Sequence, residues 1–193
     1  MTQEIEIEFK NLLTEEEYLN LYNDLSFDSV ELIEQTNYYF ETDDFKLRQL
    51  GAALRIRRKK DSWTLTLKQP HPDGLLETHD VLNQEDVNQW MINRPVSAPY
   101  VQRQLRELGI SLDELSYMGS LMTRRKERNY KNTTVVLDHS FYFEKSDYEL
   151  ELEAGSKETG LKVFRELLKE YHIPERKTDN KIKRFYNAKP QSD

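Results

Sequence analysis

Polar and apolar residues alternate with a period of two along much of this chain. Between residues 3 and 10, Glu4, Glu6, Glu8 and Lys10 fall on one side while Ile5, Ile7 and Phe9 fall on the other, the pattern of a half-buried strand. Residues 30–40 are β-branched and aromatic. Residues 53–59 and 63–69 flank the polar turn Lys60-Asp61-Ser62 and predict a hairpin, and 75–81 follows Pro72-Asp73-Gly74. A second hairpin is predicted by 121–130 and 133–143 around Lys131-Asn132, and 148–154 makes an eighth strand. A helical period fills the gaps. Thr14-Glu15-Glu16-Glu17 reads as a capping box ahead of Tyr18, Leu21, Tyr22 and Leu25. Asn83 can cap a helix reaching Trp90, and a helix over 100–108 ends at Gly109. Ser156 opens the longest helix, with Leu161, Phe164, Leu167, Leu168 and Tyr171 on one face and Pro174 beyond it; a short helix covers 179–186. No repeat, low-complexity tract or Pro/Gly/Ser-rich linker interrupts the chain, so a single domain over 1–193 is expected. The expected class is α+β: an antiparallel sheet or barrel with helices packed on the outside.

The charges of these strands come in runs. Glu4, Glu6 and Glu8 form one acidic series and Glu149, Glu151 and Glu153 another; Arg55, Arg57 and Lys59 form a basic one, with Lys68 and Arg125 on other strands. The simplest reading is a sheet with its charged face in water and its apolar face on the core. Glutamates two residues apart, however, place like charges roughly 7 Å apart along a strand. That repulsion costs stability unless cations answer it. The alternative is a barrel with a charged lumen and an apolar exterior covered by helices, wide enough at eight strands for one small ligand. A lumen holding carboxylates and guanidinium groups requires that they pair or hold ions. Arg and Lys match phosphate oxygens, and clustered carboxylates without His or Cys select hard cations such as Mg²⁺ or Mn²⁺.

Composition removes several classes. The chain has no cysteine, which excludes disulfides, zinc–thiolate sites, iron–sulfur clusters and cysteine nucleophiles. A net charge of −7, from 35 acidic and 28 basic residues, argues against binding duplex nucleic acid through overall charge but permits a local basic pocket. No apolar stretch approaches the roughly 18 residues that span a bilayer, and Met1-Thr2-Gln3-Glu4 lacks the features of a secretory leader. A cytoplasmic protein without membrane partners is expected. His71, His79, His139 and His172 show no metal-ligand spacing and read as structural or exposed, although His79 shares a face with Glu77. No Ser–His–Asp arrangement or glycine-rich phosphate loop is present.

The order of motifs resembles the CYTH superfamily, the triphosphate tunnel metalloenzymes. Glu6-Ile7-Glu8-Phe9-Lys10 matches its N-terminal Glu-x-Glu-x-Lys motif. Tyr38-Tyr39-Phe40-Glu41-Thr42 resembles its Tyr-Tyr-Phe-Asp-Thr element, Leu54-Arg55-Ile56-Arg57 its Leu-Arg-x-Arg strand and Thr66-Leu67-Lys68 its lysine strand. Glu77, Thr123-Arg124-Arg125, Leu137-Asp138 and the acidic run 148–153 follow in the family's order, so the likeness covers essentially the whole chain. It implies an eight-stranded antiparallel β-barrel, a tunnel that binds a triphosphate and two divalent cations, Mg²⁺ or Mn²⁺.

Carried over residue by residue, the resemblance implies that Lys10, Arg55, Arg57, Lys68 and Arg125 bind phosphates, with Lys181 capping one tunnel mouth. Glu6, Glu8, Glu77, Asp138, Glu149, Glu151 and Glu153 are the metal candidates; Glu6, Glu8, Lys10, Glu151 and Glu153 are the catalytic ones. Glu4 shares a face with the first motif and competes for its register. At Arg124-Arg125 only one side chain can turn inward, and Arg125 shares its face with Thr123. The family often carries Ser before the terminal lysine where this chain has Asn180. The implied activity is metal-dependent hydrolysis of the terminal phosphoanhydride of tripolyphosphate, thiamine triphosphate or a nucleoside triphosphate. A class IV adenylate cyclase would use the same groups, and a non-catalytic triphosphate- or polyphosphate-binding module would need fewer carboxylates. Facing glutamates are further expected to repel, so that neutralising one, as in Glu151→Gln, keeps or raises stability without metal.

Overall fold

The computed structural model describes residues 3–189, so the reading of Met1 and Thr2 as lacking a leader falls outside the described residues. The described residues form two compact units, residues 3–6 with 35–120 and residues 7–34 with 121–189. In the first lie β1 (Gln3–Glu6), β3 (Ile33–Thr42, except its first two residues), β4 (Ala53–Lys59), β5 (Ser62–His71) and β6 (Gly74–Leu82). The second holds β2 (Glu8–Leu13), β8 (Thr133–Tyr142), β9 (Lys145–Glu153) and most of β7 (Leu115–Tyr130). The helices are α1 (Glu15–Asp24), α2 (Lys46–Gln49), α3 (Gln84–Met91), α4 (Pro99–Glu107), α5 (Lys157–Glu170) and α6 (Lys181–Ala188).

Every strand pair with a stated register is antiparallel, in agreement with the α+β class. Among the described residues there are nine strands rather than eight, because the alternating stretch 3–10 is two strands. β1 pairs with β6 and β2 with β9, and the change of partner falls at Ile7, whose carbonyl accepts the Ala154 N–H at 3.0 Å. Alternation reports a strand's faces but not its partner. β7 also begins six residues earlier than the expected 121.

Each unit has its own apolar core, built from the uncharged strand faces and the helices over them. Phe40, Leu54, Ile56, Leu65 and Leu67 meet Trp90, Val101 and Leu105 in the first unit. Leu13, Val135, Leu137, Leu150 and Leu152 meet Leu21, Phe164, Leu167 and Leu168 in the second. The helix starts follow their caps. Thr14 with Glu17 and Asn83 with Asp86 form reciprocal capping boxes. α4 has Ala98 at its N-cap; buried Asp80 of β6 instead accepts the Tyr100 and Val101 N–H groups at 3.0 and 2.8 Å. Asn180 caps α6 by accepting the Lys183 N–H at 3.0 Å. Ser and Asn serve this position about equally well, so the departure at Asn180 leaves the helix start intact.

Candidate active site

Several charges on the strands of the second unit are buried. Along β9 the inward faces alternate without a solvated side: Leu150 and Leu152 enter the apolar core while Glu149, fully buried, and Glu151, 6% exposed, lie on the opposite face. Asp138, the register partner of Glu149 on β8, is also fully buried. A sheet with its charged face in water therefore does not describe this unit. Carboxylates at this depth need partners, and three cations supply them. Arg125 on β7, opposite Asp138, donates from Nε and Nη2 to the two Asp138 oxygens at 2.8 and 2.7 Å, and from Nη2 to Glu151 at 2.5 Å. Lys181 Nζ lies 2.8 Å from Asp138 Oδ2, 2.8 Å from Glu149 Oε2, and closer still to Glu151. Arg184 pairs with Glu149 and reaches Asp147 at 2.9 Å.

Burial alone would push the Glu151 carboxyl up, but Lys181, Arg125 and Lys10 outweigh it and hold it well below the usual carboxylate range. For Arg125 and Lys181 burial works against the charge, and the facing carboxylates overcome it and raise both. The expected mutual repulsion of the glutamates is thus answered within the protein. Lys181 stands among three carboxylates. Arg184 was not among the expected residues, although its place three positions after Lys181 on a terminal helix puts both on one face. Arg125 Nη1 faces Glu127 and Glu153 at 3.8 Å, and Arg124 turns outward to Glu34 at 3.0 Å. On β2, Lys10 pairs with Glu8 at 2.6 Å and stands opposite Glu151, while Glu8 stands opposite Glu153.

The first unit holds a separate set. Lys68 pairs with Glu6 and lies 3.4 Å from Glu77, which Arg55 approaches at 3.5 Å. Burial would raise the Glu77 carboxyl; Arg55, Lys68 and Arg57 prevail and lower it. Arg57 donates from Nε to Asn37 at 2.8 Å, whereas Arg58 lies on the other face with its guanidinium over Trp63. The change of partner at Ile7 therefore divides the Glu-x-Glu-x-Lys motif: Glu6 joins Lys68, and Glu8 and Lys10 join the acidic strand β9. His79, set aside by its sequence spacing, stands beside Glu4 and Glu77.

The donor set of Asp138, Glu149 and Glu151 is entirely carboxylate oxygen, which suits a hard divalent cation. Glu149 Oε1 is buried with no hydrogen-bond partner, an unspent acceptor beside that set. Three oxygens of the set surround Lys181 Nζ, so an ion takes this place only by displacing the ammonium; among the described residues, the group whose ligand atoms lie within 4.8 Å of one another is Glu4, Glu77 and His79.

A CYTH domain model matches residues 4–186. Bacillus subtilis (strain 168) YjbK, named as a candidate triphosphatase, is 45% identical over 192 residues, covering 100% of both chains. A crystal structure of a candidate adenylate cyclase from Bacillus halodurans superposes with a TM-score of 0.92 at 41% identity, over 96% of this chain and 100% of that one. HpAC1 from Hippeastrum, described as a candidate adenylyl cyclase with a dominant triphosphatase activity, shares the fold at a TM-score of 0.77 and 24% identity, over 97% and 98% of the chains.

Proposed function

Because the chain belongs to the CYTH domain family, we propose that it is a divalent-metal-dependent hydrolase cleaving the terminal phosphoanhydride of a triphosphate. The substrate is inorganic tripolyphosphate, thiamine triphosphate or a nucleoside triphosphate. The observation that carries this reading is the buried carboxylate set Asp138, Glu149 and Glu151 with its answering cations Arg125 and Lys181. A pure anion trap would need fewer buried carboxylates.

In this reading Arg55, Arg57, Lys68 and Lys10 bind phosphate oxygens, the two arginines presenting planar forks from one strand face. Arg125 binds through Nη1, its least engaged nitrogen, while Nε and Nη2 keep Asp138 and Glu151 in place. Lys181 directs its Nζ to Asp138, Glu149 and Glu151, so it positions carboxylates, and a phosphate contact from it requires exchange of one of those bonds. Asp138, Glu149 and Glu151 would hold Mg²⁺ or Mn²⁺ on displacing the Lys181 ammonium, aided by Glu8 and Glu153, and Glu6 and Glu77 would do the same in the first unit. Such an ion neutralises phosphate charge and lowers the pKa of a bound water. Glu151, held ionised by Lys181, Arg125 and Lys10, serves as a hydrogen-bond acceptor in the site rather than a store for a proton. A cytoplasmic location accords with a chain free of cysteine, and among the described residues no helix is long and apolar enough to cross a membrane.

The test is purified protein with tripolyphosphate, thiamine triphosphate or ATP and either metal. Orthophosphate released, and its loss in Glu151→Gln, supports hydrolysis. Cyclic AMP and pyrophosphate from ATP would instead establish the cyclase reading, which the Bacillus halodurans relative favours. Binding without turnover under both metals would leave a binding module.

A further inference from the structure

A second constellation lies on the charged face of β1 and β6. Glu4 and Glu77 are direct cross-strand partners, so two carboxylates stand opposite each other. That arrangement destabilises a strand pair unless a cation answers it. His79, two residues along β6 on the same face, brings Nε2 to 3.2 Å from Glu4 Oε1 and 3.6 Å from Glu77 Oε2. One donor atom from each of the three residues lies within 4.8 Å of the others. An ion held by bonds of about 2.0–2.1 Å in a tetrahedral site sets its ligand atoms about 3.3 Å apart. The two His79 separations straddle that value.

The imidazole is also held from behind. Its Nδ1 lies 2.9 Å from the hydroxyl of Thr66, the buried register partner of His79 on β5. With Nδ1–H donating to that hydroxyl, the Nε2 lone pair is aimed at the two carboxylates, the support that metal-binding histidines characteristically receive. The oxygens of Glu77 are divided as well. Oε1 is the one that Arg55 and Lys68 approach, and Oε2 is the one beside His79.

We infer that Glu4, Glu77 and His79 form a divalent-metal site with mixed nitrogen and oxygen ligands, selecting a borderline ion such as Zn²⁺ or Co²⁺ over Mg²⁺. Three protein ligands leave at least one position open for water or an anion. The site shares Glu77 with the metal role proposed above, but its test requires no turnover, so its failure and that of the triphosphatase reading are distinguishable.

The experiment uses the full chain, free of any affinity tag and stripped by a chelator. Zn²⁺ is titrated by calorimetry into the parent, His79→Gln, Glu4→Gln and a His71→Gln control. The parent and the control should take up one more equivalent than His79→Gln, and Glu4→Gln should bind that equivalent at least tenfold more weakly. The Co²⁺ form should show a strongly shifted, solvent-exchangeable imidazole N–H proton resonance that His79→Gln lacks, and millimolar Mg²⁺ should not displace the ion. Glu4 is 64% exposed in its side chain, so its variant keeps the test decisive should His79→Gln fold poorly. Equal stoichiometry and affinity in all four chains would reduce the contact to an ordinary hydrogen bond and overturn the inference. Displacement by millimolar Mg²⁺ would overturn it too, by showing no preference for a borderline ion.

Discussion

Replacing Glu151 by Gln in the metal-free protein is expected to lower its melting temperature, the reverse of what two facing rows of glutamates suggest. Glu151 accepts from Arg125 at 2.5 Å and from Lys181, and its side chain is only 8% exposed. Removing one member of a buried charge pair costs about 3–5 kcal/mol because the partner is left uncompensated. Both partners here keep other carboxylates: Arg125 retains Asp138 at 2.7 Å, and Lys181 retains Asp138 and Glu149 at 2.8 Å. The amide also retains one acceptor oxygen. The loss should therefore fall below that range, at about 2–3 kcal/mol, allowing for hydrogen bonds to charged groups worth about 1.5–3 kcal/mol each. For a chain of this size each kcal/mol moves the midpoint by about 2–4 °C, so a fall of about 4–12 °C is expected. Calorimetry with a chelator present measures it. Glu34→Gln, which removes the exposed partner of Arg124, serves as the reference and should change stability by less than about 1 kcal/mol. The fall should persist at high salt, because buried pairs are poorly screened. An unchanged or raised midpoint for Glu151→Gln would refute the reasoning, since it would mean that the carboxylates repel one another more than the cations hold them.

Arg57→Ala should weaken tripolyphosphate binding at least tenfold while Arg58→Ala changes it little, because only Arg57 shares its face with Arg55; equal effects in a titration would place the register in error. Glu17 carries a pH signature. The Arg176 guanidinium, bonded to both its oxygens at 2.8 Å, lowers its carboxyl below the ordinary 4.5. A depressed folded-state value stabilises fully above about pH 4.5 and is lost as pH falls through it, so the stability advantage of the parent over Glu17→Gln should be present at pH 7 and shrink in acid melts. Gly160→Ala should destabilise by about 1–3 kcal/mol despite its better helix propensity, because the added Cβ would lie 2.4 Å from the Phe9 ring and 2.8 Å from Ala154 Cβ; an equal or higher denaturation midpoint would show that this corner of α5 can yield.

Periodicity was enough to find the strands, their two faces and most helix starts, because these depend on neighbours in the chain. Thr14, Asn83 and Ser156 cap what they were read to cap, and alternation along 53–59 separates Arg57 from Arg58. The family likeness, carried by ordered short motifs, reached the whole chain for the same reason. What alternation cannot state is which strand lies alongside. Residues 3–10 read as one strand, yet hydrogen bonding sends Glu6 to β6 and Glu8 to β9. The acidic series looked self-repelling for a similar reason: the cations hydrogen-bonded to Glu149 and Glu151 lie 26 to 35 positions away, on β7 and α6, and Lys10 reaches Glu151 only through strand pairing. His79 had no ligand spacing in the sequence and gained Glu4 across 75 positions only when β1 paired with β6. Local pattern sets each residue's face, whereas the sign and closeness of its neighbours depend on strand pairing, and in a buried polar site those neighbours decide whether a charge is repelled, paired or left to hold an ion.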